Sequence, residues 1–66
     1  MGDDPEDIRH ARAVRTLLDL VEGSPEERRE KQHTVLARVR ATYLRDYGYL
    51  PEWWIELREE VEDGKL

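Results

Sequence analysis

The sequence predicts an all-α fold, a small three-helix domain in which a helical hairpin is followed by a short third helix, with residues 1–66 forming a single domain. Three observations predict it. Helix-start and helix-stop signals recur in order along the chain. Apolar residues return at spacings of three and four, the period of one helix face. Nowhere does a two-residue alternation run long enough to read as a strand, and the segments are rich in Ala, Leu, Glu and Arg, which are good helix formers.

The first helix is predicted over about 5–22. Asp4 is its expected cap, Pro5 its first residue and Asp7 the acid three positions after the cap. Ala11, Val14, Leu17, Leu18 and Val21 fall on one side and form the expected buried face, with Ile8 off it. Gly23 closes the segment. Ser24-Pro25-Glu26-Glu27 repeats the start signal for a second helix over about 25–47, closed by Gly48. Leu36, Val39, Tyr43 and Tyr47 make its apolar stripe, with Val35 and Leu44 at the edges. At 1.5 Å per residue this helix spans roughly 34 Å, longer than the third helix can cover. Pro51 opens that third helix, predicted over about 51–63 with a face of Trp53, Trp54, Leu57 and Val61, and Leu50 lies on the approach to it. Gly64 closes it. Very short connections require neighbouring helices to fold back on each other, so the first two form an antiparallel hairpin with the third packed across or beside its open end.

Size and composition narrow the function. Chains of 66 residues bury a small core and often gain stability from a partner. With no cysteine there is neither a disulfide nor a cysteine-based zinc site, which fits a reducing, cytoplasmic setting. Apolar runs of three or four residues exclude a membrane span, and the acidic N-terminal MGDDPEDI does not read as a secretory signal. The net charge of −5 argues against a strongly basic nucleic-acid module. Charge is nonetheless segregated, with residues 25–47 mildly basic and residues 52–66 acidic, so the third helix is expected to pair with the second.

No catalytic or cofactor motif is present. The four glycines are isolated at the terminus and at breaks, so there is no phosphate loop and no nucleophile elbow. Asp7 lies three before His10, as is common near a helix start, but neither His10 nor His33 has a partner at clean metal-ligand spacing on an apolar-walled face, and Glu56 and Glu60 are an i, i+4 pair in a helix crowded with acids. The expectation is therefore a protein without enzyme activity, cofactor or metal.

The candidates for interaction cluster in the segment YGYLPEWW, residues 47–54. Tyr and Trp are enriched at interface centres. Tyr43 and Tyr47 stand on one side of the Gly48–Pro51 turn, Tyr49 lies within it, and Trp53 and Trp54 stand on the other side. Adjacent tryptophans are about 100° apart on a helix, so one is expected in the core and the other toward a partner. Arg40 borders the apolar arc beside Leu36 and Tyr43, where it serves either as a structural ion pair or as a partner contact. Ile55 projects away from the third helix's apolar face and is expected to be exposed.

Residues 35–57, VLARVRATYLRDYGYLPEWWIEL, resemble the opening of the DNA-binding domain of LexA-type repressors. In that family a helix ends in an aromatic-Gly-Tyr-Pro-like turn and a short helix begins a helix-turn-helix. Tyr43, Leu44, Tyr47, Gly48, Tyr49, Pro51 and Leu57 match this pattern over about a third of the chain. The following REEVEDGKL is acidic and supplies neither a recognition helix nor a wing, so the resemblance implies a shared turn between helices.

Together these features point to a small acidic helical interaction module that forms a dimer or tetramer with itself or regulates another protein by binding it. The second reading is a helix-turn-helix-like nucleic-acid regulator gripping phosphates with Arg9, Arg12 and Arg15, or with Lys31, Arg38 and Arg45.

Overall fold

In a computed structural model describing residues 5–66, the chain forms three helices, α1 (Pro5–Leu20), α2 (Pro25–Asp46) and α3 (Glu52–Glu62). The fold class and the hairpin are as the sequence predicts. The cap expected at Asp4 lies outside the described residues. Glu6 and Asp7 occupy the first turn of α1, where carboxylates favour the positive end of the helix dipole.

α1 stops two residues short of the expected 22, and Val21, Glu22 and Gly23 form the connection to the next start signal. Pro25 is the first residue of α2, and the residue before a proline is driven out of helical geometry. Ser24 accordingly takes φ −66°, ψ 163°. Its Oγ accepts from the Glu27 N–H at 3.3 Å and its hydroxyl donates to Glu27 Oε1 at 3.0 Å, a variant of the capping box. Gly23 makes the turn at φ 131°, where a side chain would be strained and a Cβ would come 3.1 Å from that of Glu27.

No basic residue sits in the last turn of α1. Its carbonyls are met instead by α2. Gln32 Nε2 donates to the Leu18 carbonyl at 2.9 Å, and Lys31 Nζ donates to the Glu22 carbonyl just beyond at 3.1 Å. Gln32 is only 2 % exposed, so this bond is what allows an amide to be buried among leucines and valines.

At its far end α2 closes with the N–H groups of Tyr47 and Gly48 both directed to the Tyr43 carbonyl, at 2.8 and 3.1 Å. Pro51 is the cap of α3 rather than its first helical residue, and its carbonyl accepts from the Trp54 N–H at 3.1 Å. α3 ends in a Schellman arrangement. Gly64 N–H reaches the Val61 carbonyl and Lys65 N–H the Glu60 carbonyl, at 3.1 and 2.9 Å, and Leu66 folds onto the core beyond them.

The core is the meeting of Val14 and Leu18 from α1, Leu36 from α2 and Trp54, Leu57 and Val61 from α3. Val35, Val39, Leu50, Trp53 and Leu66 pack around it. α3 starts at the hairpin's open end and runs back along it, so that Val61 and Leu66 come beside Gly23, Pro25 and Gln32 at the α1–α2 connection. It leans mainly on α2. α3 also lies against the Ala11–Arg15 side of α1, through Trp53, Leu57 and Glu60. One side of the hairpin is thereby covered and the other left open.

That asymmetry corrects two expectations. Leu17, placed on the buried face of the first helix, is 53 % exposed because it lies on the side α3 does not reach. Tyr47, the last member of the expected α2 stripe, is exposed because α2 ends at Asp46 and α3 lies further back along the hairpin. The predicted pairing of acidic α3 with basic α2 is also replaced. Glu60 binds Arg15 of α1 through two contacts of 3.1 and 3.3 Å, Arg58 pairs with Glu62 within α3 at 3.9 Å, and among the described residues no ion pair joins α2 to α3.

Candidate interaction surface

The YGYLPEWW segment separates into a buried part and an outward part. Trp54 is the core tryptophan. It is 6 % exposed, its indole N–H donates to the Leu36 carbonyl at 2.8 Å, and the Arg58 guanidinium stands 5.9 Å from its ring centroid. Trp53 is half-buried, and its indole N–H is enclosed without a hydrogen-bond partner. Its ring stands nearly perpendicular to that of Tyr43, with centroids 5.6 Å apart.

Tyr43 is the hub of this end of the molecule. Tyr47 lies tilted against it at 4.9 Å and Tyr49 edge-on at 6.1 Å. From α1, His10 meets it edge-on, with His10 Nδ1 2.6 Å from the Tyr43 hydroxyl. The hydroxyl also reaches Asp7 Oδ1 at 3.4 Å. Burial raises the Tyr43 pKa from 10.0 to about 12, helped by the Asp7 charge and its hydrogen bond. The phenol therefore stays protonated and works as a fixed strut tying the first turns of α1 to the end of α2.

Beside this strut, on the side away from α3, a groove of about 360 Å³ runs between α1 and α2. Val14, Val39 and Tyr43 form its floor. His10 and Ala13 stand on the α1 wall, with Arg38, Thr42 and Asp46 on the α2 wall and Tyr47 at its end. Helical register extends the α1 wall, because His10, Ala13, Leu17 and Leu20 fall at intervals of three and four residues along one side of the helix. Leu17 and Leu20 are 53 % and 68 % exposed. This apolar edge was missed in the sequence. Periodicity places Leu17 in the core and gives no face for Leu20, and only the position of α3 tells covered from uncovered.

The remaining candidates sit elsewhere. Arg40 is exposed and forms no ion pair among the described residues, so the structural ion pair proposed for it is absent. Ile55 is 41 % exposed on the outer side of α3, as helical geometry requires. Tyr43, Tyr47, Tyr49 and Trp53 are brought together, while Trp54, Arg40 and Ile55 are not part of that cluster. Among the described residues no group of three or more His, Asp or Glu side chains could hold a metal ion, and no helix is long and apolar enough to cross a membrane.

Compared with protein-family models, with curated proteins and with solved structures, the chain matches none.

Proposed function

We propose that this small all-helical domain is a protein-interaction module that binds through the open side of the α1/α2 hairpin, and that it works as a homo-oligomer. The observation that carries this reading is the exposure of Leu17 and Leu20, which by helical register continue the α1 side of an apolar-floored groove beyond its lining residues. A groove between two helices with an apolar floor and a polar wall is the form into which an amphipathic helix lays its own apolar face. The exposed rings of Tyr47 and Tyr49 extend the same surface past the end of α2. The proposed role is binding rather than catalysis, in keeping with a cytoplasmic regulatory protein of this size and charge.

The nucleic-acid reading draws less support from the same geometry. Of the cations assigned to phosphate contact, Arg15 is engaged by Glu60, Lys31 by the Glu22 carbonyl and Arg45 by Asp46 at 3.1 Å. Sedimentation of the wild-type chain over a dilution series tests the proposal. The expected result is a mass of two or more chains that falls toward one on dilution. A single-chain mass at every concentration would remove self-association.

A further inference from the structure

We infer that the occupant of the open face is a second copy of this chain, docked with the two α2 helices antiparallel about a two-fold axis at Thr42. The inference rests on the reading of that face as the binding surface and specifies its partner and register. Arg38, Thr42 and Asp46 follow one another at four-residue spacing along the α2 wall of the groove. Arg38 and Asp46 are both exposed and carry opposite charge at equal distances, about 6 Å at 1.5 Å per residue, on either side of Thr42.

A two-fold axis exchanges the two ends of such a stripe. Arg38 of each copy then faces Asp46 of the other, and the pair forms twice. Moving the axis by one turn to Arg38 sets that residue against its own copy and places Asp46 opposite Glu30, so like charges meet at both positions. Charge thus selects the Thr42 register and penalises its neighbour. Asp46 already accepts from Arg45 Nε at 3.1 Å. Exposed ion pairs of this kind contribute little, and a carboxylate has room for a second donor.

Charge reversal with rescue tests the register. Arg38→Glu and Asp46→Arg should each weaken dimerisation at least about tenfold, since each places like charges together twice. The double variant should restore it, with wild-type helix content by circular dichroism throughout. The chain has no cysteine, so Thr42→Cys gives a single probe at the axis, where the Cβ separation of about 4 Å that a disulfide needs becomes available. It should oxidise to a covalent dimer far faster than Ala37→Cys, which lies away from the groove. If the wild type associates but the double variant stays dissociated, or Thr42→Cys oxidises no faster than Ala37→Cys, the register is wrong while self-association stands. A monomeric wild type overturns both.

Discussion

The two sides of the α1/α2 hairpin are made of the same helices and comparable apolar residues, yet one is a core and the other a surface. On the covered side Leu18 and Leu36 are sealed by Trp54, Leu57 and Val61 of α3. On the open side Val14, Val39 and Tyr43 floor a groove, and exposed Leu17 and Leu20 continue its α1 side by helical register. The difference comes from coverage rather than composition. An eleven-residue third helix can shield only one side of a hairpin whose second helix has 22 residues. The buried apolar core therefore lies mostly on the α3 side, and the proposed association on the other.

The sharpest break of this comparison is on the covered side. Trp54→Ala removes a buried ring and its bond to the Leu36 carbonyl, and should cost about 3–5 kcal/mol, enough to unfold much of so small a domain. Trp53→Ala, which removes a half-buried ring with an unpartnered N–H, should cost clearly less. Urea denaturation of the two variants checks the order, and equal losses would refute the division between them.

Gln32→Ala should follow in size. It leaves the Leu18 carbonyl unpaired at the buried end of α1 and opens a small cavity, with an expected loss of roughly 1–3 kcal/mol in the same assay. A loss below about 0.5 kcal/mol would mean that the bond does not cap α1.

A smaller effect is expected in alkali. Folding raises the Tyr43 pKa to about 12 from 10.0, so the folded state holds this proton more tightly than the unfolded chain. Its contribution is fully present below pH 10 and is lost as pH rises toward 12. Tyr43→Phe lacks the group and should show a flatter fall in stability across that window. A fall as steep as in the wild type would assign it to other groups.

These contrasts mark what was legible in the sequence. Proline, serine and glycine fix local backbone geometry, so Ser24-Pro25, Gly23, Gly48 and Gly64 located the breaks without tertiary information. Exposure of Ile55 followed from periodicity alone. Exposure of Leu17 did not, because periodicity marks an apolar arc but not which half of it a third helix covers. Gln32 reads as an ordinary polar helix residue, and its burial depends on a carbonyl fourteen residues away. The contact of Tyr43 with His10 and Asp7 likewise joins residues 33 and 36 positions apart, beyond any local pattern.

The claim that the open side is the binding surface is tested most directly by moving one charge between the two outward positions. Leu17→Glu and Ile55→Glu each place a carboxylate at an exposed apolar site, on the groove edge and on the outer side of α3 respectively. Neither should change stability by more than about 0.5 kcal/mol. Sedimentation at a concentration where the wild type is associated should give a single-chain mass for Leu17→Glu and the wild-type mass for Ile55→Glu. The opposite pattern would place the interface on α3 and contradict the account.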